Sequence, residues 1–500
     1  MEYLAGIDLG TSSVKVLITD LSGKLLGCGN AGYEIQIPKA GYAEQEPSEW
    51  WESTKTAIRL AVNHARISPE KILGIGFSGQ MHGMVALDAA GSPVCPAMIH
   101  LDQRSVKERE RILETAQDLM AAELLNQPGA GMLICSLLWL KNNRPAAYEK
   151  IHTVMLPKDY IRYRLTGRIG SDYTDASSTL AFSVRRTQWC MPLIERLGLK
   201  TDIWPEIKSP FAVAGTVTPK AAEETGLSPM TKVVMGGGDS AMALIGNGIV
   251  REGTMACNIG TASQIAAVVH QPKAAVGMKC QIWNHPVPNT WYMQGGTLNG
   301  CNTINWLRDK ILRSSASFQD LDRGAAEIPA GSDHLIFIPF LAGERTPFMD
   351  PYAKGVYFGL GMNHDQRHVF RATMEGVLYN LCECAKIFRE AGISSEKLIF
   401  SGGGAKSAVW RQIAADVLNQ PVYTTETEEE AGMGAVIMAA VGTGCYSSVE
   451  EACGEIIRIA PEPIQPIAEN VEIYSEQQAL FSELYHHVKD IFPKLQYGNR

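Results

Sequence analysis

The sequence predicts a duplicated α/β fold, two domains of similar build facing one another across a cleft. Three observations lead there. The chain has 500 residues, more than one ordinary core holds and suited to two domains of about 200 to 250 residues each. The stretch Leu4 to Lys15, LAGIDLGTSSVK, aligns without a gap to Thr254 to Ile265, TMACNIGTASQI, so that Asn258 falls on the position of Asp8 half a chain later. Apolar strands also run repeatedly into glycine-rich or polar turns and then into segments of helical spacing.

Taken in order, Leu4 to Thr19 reads as two strands joined by a Gly-Thr-Ser-Ser turn, because Val14, Val16 and Ile18 alternate as a returning strand would. Such a turn is either an ordinary polar hairpin or an anion cradle. Gly10 lets backbone N–H groups approach a phosphate, Thr11, Ser12 and Ser13 add hydroxyls, and Asp8 can hold Mg2+ through water. A third strand follows over Leu25 to Tyr33. Pro47 and a capping Ser48 open a helix through Ala65. Ile72 to Phe77 is the next strand and ends at Gly79-Gln80-Met81-His82-Gly83, where open α/β sheets bind ligands. Met84 to Leu87 is a short strand, Ser105 to Leu140 and Tyr160 to Leu165 are mostly helical, and Asp172 to Ser178 is a polar loop of small residues.

Val233 to Met235 is a strand running into Gly236-Gly237-Gly238-Asp239-Ser240-Ala241, with a helix to Ile249. Gly248 to Gly253 is then the junction between an N-terminal domain over residues 1–247 and a C-terminal domain over 254–500, the latter with a helical tail from about 447 packed on it. The second half offers strands at Ile265 to Val269, Leu335 to Phe340 and Leu398 to Phe400, and helices at Gln366 to Ala391 and Ala408 to Leu418. A small-residue helix opens after Glu428-Glu429-Glu430.

Composition narrows the function. A net charge of −8 without a Lys/Arg-rich run argues against a nucleic-acid or anionic-membrane partner, so an anionic substrate needs a local site. The eleven scattered cysteines include no CxxC pair and fit a reducing cytosol better than a disulfide framework. No signal-peptide pattern and no apolar run of about 18 residues is present, so the expected location is the cytoplasm.

Asp239 is the most informative carboxylate: it either caps the helix that follows or takes a proton from a substrate hydroxyl. An ordinary aspartate can do the latter, since positioning and charge neutralisation carry most of a phosphoryl transfer. Gly402-Gly403-Gly404 suits the approach of an adenosine to backbone. There is no GxxxxGK[ST] loop, no GxGxxG fingerprint after the first strand and no HExxH, which disfavours P-loop, dinucleotide-binding and zinc-peptidase readings. His82 is read as a hydrogen-bonding group beside a polar ligand rather than a core residue.

The ordered set of motifs resembles the FGGY family of carbohydrate kinases, in the superfamily of sugar kinases, actin and Hsp70. It comprises GIDLGTSSVK at Gly6, GQMHG at Gly79, DQR at Asp102, DASSTL at Asp175, GGGDSA at Gly236, NIGTAS at Asn258, PFLAGERTP at Pro339, GVYFGL at Gly355 and SGGGAKSAVWRQIAADVLNQPV at Ser401. The resemblance implies two ribonuclease-H-like domains with ATP and sugar in the cleft between them, and a homodimer. By motif, Asp239 is the base. Met81 and His82 match the dipeptide that contacts the sugar in xylulose-phosphorylating members, and Asp102 and Ser240 also lie on the sugar side. Thr11, Ser12 and Lys15 fall in the first phosphate loop with Asp8 for Mg2+, Gly260 and Thr261 in the second, and Gly402, Gly403, Gly404 and Ala405 in the adenosine motif.

The activity implied is ATP-dependent phosphorylation of a terminal hydroxyl of a small sugar, a ketopentose such as D-xylulose first. Other FGGY substrates (L-xylulose, ribulose, a pentitol, gluconate) or a sensor that binds without turnover are the alternatives. Ser240 stands where these kinases usually have Asn, Ile99-His100-Leu101 where they tend to have Leu-Trp-Asn, and Ser136 where they have Lys. The first two departures bear on sugar choice, because a missing hydrogen-bond partner shifts discrimination. Nothing explains the third.

Overall fold

A computed structural model describes residues 1–274 and 276–495. The opening hairpin forms from β1 (Tyr3–Leu9) and β2 (Ser13–Asp20), antiparallel with Leu9 opposite Val14. Strand β3 (Leu25–Gly32) adds antiparallel to β2. Helix α1 (Pro47–Ala65) then crosses the sheet, burying Trp50 and Trp51, and β4 (Ile72–Gly79) returns parallel to β1. Helix α2 (Pro157–Thr166) precedes β5 (Lys232–Val234), parallel to β4. Helix α3 (Asp239–Gly246) ends this half.

The second half repeats the plan with β6 (Gly253–Ile259), β7 (Ser263–Val269), β8 (Gln281–Asn284), β9 (Trp291–Gly296), α4 (Gln366–Glu390), β10 (Ser395–Ser401), α5 (Ala408–Leu418) and β11 (Val422–Tyr423). Five strands of the first sheet run β5-β4-β1-β2-β3 and five of the second β11-β10-β6-β7-β9, with parallel and antiparallel pairings in the same places, and β8 adds antiparallel to β9 at the edge of the second. The duplication extends to single residues. Asp8 is opposite Ser78 on the parallel neighbour, and Asn258 is opposite Ser401.

The halves are joined by two crossing helices, α3 and α6 (Glu430–Thr443). Although α6 comes late in the chain, it lies on the first sheet. A Cβ on Gly76 of β4 would stand 1.9 Å from the Ala435 carbonyl oxygen, and one on Gly6 of β1 would stand 2.3 Å from that of Gly432. The crossing itself is as close: a Cβ on Gly246 would meet the Glu430 carbonyl at 1.8 Å, and one on Gly434 that of Met242 at 2.0 Å. The small-residue run AGMGAVIMAA thus serves backbone-to-backbone packing, which larger side chains would block.

Three local expectations are corrected, and the mostly helical stretch after Ser105 is divided more finely. Ser48 does not cap α1: Glu46 holds the cap position with Pro47 at the first helical position, which needs no N–H donor. The stretch after Ser105 is broken into helices Val106–Thr115 and Leu133–Asn143 with a π-turn at Met120–Leu124 between them. Residues 172–178 are a helical turn, Tyr173–Ala176, continuing into Ser177–Thr179 and capped by the Asp172 carboxylate. The tail divides: α7 (Val449–Ile456) joins the core that contains α6, and only α8 (Ala468–Val488) packs on the second half, through Tyr474, Phe481 and Tyr485. Among the described residues no helix is long and apolar enough to cross a membrane.

Since the Ala435 carbonyl belongs to helix backbone and cannot swing away, Gly76→Ala is expected to lower the unfolding free energy by about 1–3 kcal/mol, the range for overpacking a tight core. Denaturant midpoints of the two proteins measure it.

Candidate active site

Asp239 begins α3 after three glycines. Gly236 has φ +74°, and a Cβ there would meet the Phe77 side chain at 2.4 Å, so this turn from β5 into α3 requires glycine. The Asp239 carboxylate accepts the Ser240 N–H at 2.6 Å and lines a cavity of about 360 Å3 between the two sheets. Burial, with the negative charge of Asp8 added, pushes its pKa up to about 7. Phosphoryl transfer does not require such a shift, but the environment of Asp239 moves it well away from an ordinary aspartate.

Asp8 sits at the end of β1. Burial raises its pKa, with the positive charge of Lys15 working against that rise. Its Oδ1 and the Ser78 hydroxyl are both buried without a hydrogen-bond partner among the described residues. Burying such groups unpaired is costly, and a hydrated cation or a phosphate would satisfy them.

His82 has φ +72°, a backbone conformation held by a bond from its N–H to Ser178 Oγ at 3.2 Å. Its Nδ1 lies 2.8 Å from the Ser178 carbonyl oxygen. A carbonyl only accepts, so Nδ1 carries the proton and Nε2 keeps its lone pair for a donor in the cavity. Burial lowers the His82 pKa to about 4, the Ser178 carbonyl partly opposing it, and burial lowers that of His100 to about 4 as well, so both imidazoles are neutral.

The cavity wall brings together Thr11, Met81, His82, Asp239, Ser240, Gly260 and Thr261 of the residues expected from sequence. A second cavity of about 490 Å3 is lined by Gly402, Gly403 and Ala405 with Thr425 and Glu429. Gly404 lies beneath it, buried against Ile259, where a Cβ would meet Ile259 Cβ at 2.9 Å. Ser12 is exposed beside the first cavity. Lys15 reaches Glu429 at 2.5 Å, linking the first hairpin to the wall of the second cavity.

Asp102 is not on either wall. It is fully buried, accepts the Ala43 N–H at 2.7 Å, and holds the Arg104 guanidinium, with Nη2 at 2.6 Å from Oδ2. Arg104 in turn packs over Tyr42, 3.6 Å from the ring centroid. The carboxylate is consumed by this scaffold, and nearby His100 faces the cavity instead.

Sequence reasoning missed the wall supplied by the second sheet: Gln281 and Trp283 on β8, Gln294 on β9, and Arg345. Gln294 Nε2 reaches Ser240 Oγ at 3.4 Å and Gln264 Oε1 at 2.5 Å, so the short serine is met by an amide from the opposite half. Only Arg345 and His100 carried a signal, the first inside the GERTP motif and the second as a departure from the family pattern.

Residues 3–246 match the N-terminal domain of the FGGY family of carbohydrate kinases, and residues 255–443 match its C-terminal domain. A xylulose kinase of Bacillus subtilis (strain 168) is 35% identical over 491 residues, 98% of each chain. The crystal structure of a ligand-bound xylulose kinase from Lactobacillus acidophilus superposes with a TM-score of 0.93 at 25% identity, covering 99% of this chain and 100% of that one. A gluconate kinase structure from the same organism gives the same TM-score, identity and coverage.

The two neutral imidazoles give a direct check. Above pH 6.5 folded and unfolded chains both hold them uncharged; from there down to about 4 only the unfolded chain binds the protons, so their burial weakens the fold progressively over that window. Ring signals of His82 and His100 followed by NMR are expected to stay neutral at pH 5.5 and to titrate near 4.

Proposed function

Since the chain belongs to the FGGY family of carbohydrate kinases, with both domains matched, we propose that it transfers the γ-phosphoryl group of ATP to a terminal hydroxyl of a ketopentose, D-xylulose first. The observation that carries this is Asp239, half-buried between the sheets, on the same cavity as His82 and both hairpin turns.

The division of labour follows from chemistry. The sugar lies against Met81, His82 and Ser240, with His82 Nε2 accepting from one hydroxyl and Asp239 accepting the proton of the hydroxyl that attacks. The new O–P bond forms as the bond from the γ-phosphorus to the β,γ-bridging oxygen breaks, and ADP leaves. Thr11, Ser12, Gly260 and Thr261 donate to the phosphates from the two turns, and Gly402, Gly403 and Ala405 receive the adenosine over Gly404. Lys15 is placed to meet phosphate when it leaves Glu429. Asp8, with its unpaired Oδ1, would hold Mg2+, which neutralises phosphate charge when bound. No group of three or more candidate ligands lies among the described residues, and Mg2+ ordinarily takes one or two carboxylates together with substrate phosphates and water. Asp102 acts on the sugar only indirectly, through the loop it braces. The domain division at 247 and 254 is kept as part of this reading, as are a homodimer and a cytoplasmic location.

A second reading has its own support: Arg345 places a cation on the sugar cavity opposite two neutral histidines, which would suit the carboxylate of an aldonate. An ADP-release screen of pentuloses, pentitols, hexuloses and gluconate separates the two. The expected result is preferred turnover of D-xylulose. Preference for gluconate selects the aldonate reading, and binding without turnover on every candidate selects the sensor.

Asp239→Asn is expected to lower kcat by at least about 10²-fold, the lower end for a lost general base. Full sugar-dependent ADP formation by that variant would remove Asp239 from the role. Because only the carboxylate form accepts a proton, kcat/KM for the sugar should fall tenfold per pH unit on the acid side and level off above a midpoint near 7.

A further inference from the structure

Behind the cavity that holds Asp239 and His82, the first turn of α2 carries a lysine that meets no solvent. Lys158 Nζ stands 2.7 Å from Asp159 Oδ1, 2.7 Å from Asp172 Oδ2 and 3.3 Å from Asp175 Oδ2, all four side chains being fully buried. Arg162 adds a second cation on Asp159. Burial works against the Lys158 ammonium, but the three carboxylates outweigh it and hold its pKa above the ordinary lysine value. Replacing such a cluster by apolar residues is often no less stable, so stability alone is a weak reason for it.

Two hydrogen-bonded arms leave this cluster, and each ends at the active site. On one, Asp172 Oδ1 accepts the Thr174 hydroxyl at 2.5 Å, and Thr174 Oγ1 accepts the Gly238 N–H at 3.3 Å, one residue before Asp239. On the other, the Asp175 carbonyl accepts the Ser178 hydroxyl at 2.7 Å, Ser178 Oγ accepts the His82 N–H, and the Ser178 carbonyl fixes the His82 ring. The Lys158 side chain also packs on Gly79, where a Cβ would meet it at 2.7 Å, just before Gln80-Met81-His82.

We propose that Lys158 is a positioning residue: it touches neither reactant, but through its three carboxylates and these two arms it fixes where Asp239 stands relative to His82. Thr174 transmits the placement of the base and Ser178 the placement of the sugar contact. This rests on the reading of Asp239 as base and His82 as sugar ligand.

Lys158→Met strands three buried carboxylates and is liable to unfold, so the arms are cut singly in the full-length protein. Thr174→Val keeps the volume and removes the hydroxyl; it is expected to lower kcat between about 10-fold and 10²-fold with the sugar KM nearly unchanged, because the base is misplaced. Ser178→Ala is expected to raise the sugar KM about 10-fold with kcat nearly unchanged, the effect of one lost hydrogen bond. Thr174→Ser restores the hydroxyl and is expected to recover kcat. This opposite split of kcat and KM is the signature of positioning, since a merely structural role lowers the active fraction alike in both variants. An unchanged kcat in Thr174→Val, the same pattern in both variants, or no recovery in Thr174→Ser overturns the proposal. Asp239→Asn is run alongside: if it turns over sugar normally, the reading of the base fails, whereas an inactive Asp239→Asn with a normal Thr174→Val sinks only the positioning role.

Discussion

The crossing of α3 and α6 is the constraint on which the rest of the structure depends. Two helices can approach until backbone touches backbone only where side chains are absent, and here Gly246 and Gly434 supply that absence from opposite partners. Because α6 lies on the first sheet while belonging to the second half of the chain, neither half is packed independently of the other. A narrow gap lined by Ala243 and Leu244 on α3 and by Ala256, Ala266 and Tyr292 on the second sheet completes the exchange. The cleft is thus bounded by a joint with little slack, and a joint of that kind suits rigid-body closure better than local deformation.

The same crossing places a carboxylate at the start of each helix. Asp239 begins α3 beside Asp8, and Glu430 begins α6 beside Asn258. The two pairs occupy equivalent positions in the duplicated plan but differ in chemistry. Asp8 and Asp239 repel, which together with burial raises the Asp239 pKa toward neutrality. Asn258 instead donates to Glu430 at 3.1 Å, and Glu430 also accepts the Gly402 N–H, so that carboxylate is spent on fixing the glycine turn. Duplication with one acid-to-amide difference thus leaves one corner with two repelling carboxylates and the other with a hydrogen-bonded amide–carboxylate pair.

Much of this was legible in the sequence where the demand is local. The two hairpins, the strand ends at Ser78 and Ser401, the turn before Asp239 and the helix over Ala408–Leu418 all follow from patterns of a few residues whose backbone geometry admits few alternatives. The helical turn at Tyr173–Ala176 did not, because its stability comes from burial and from Asp172, which caps it while also pairing with Lys158. Asp102 misled for a related reason: its place in the DQR motif says that the carboxylate is needed, but not that Arg104 is what needs it.

By itself, the sequence determined the duplicated α/β plan, the family, the two glycine-containing hairpin turns and the carboxylate that shares a cavity with them. These rest on glycine conformations, strand alternation and spacing, which act over a few residues and so leave a local trace. Only the tertiary structure decided which polar side chains line the cavity beside Asp239. Gln281, Trp283 and Gln294 are unremarked positions on strands β8 and β9; Gln294 reaches Ser240, Trp283 lies against His82 and Gln281 joins the same wall only because the second sheet faces the first across the cleft. The buried Lys158 cluster and the return of α6 to the first sheet are of the same kind. A side chain's partner across hundreds of residues is fixed by packing of the whole chain, and no local pattern records it.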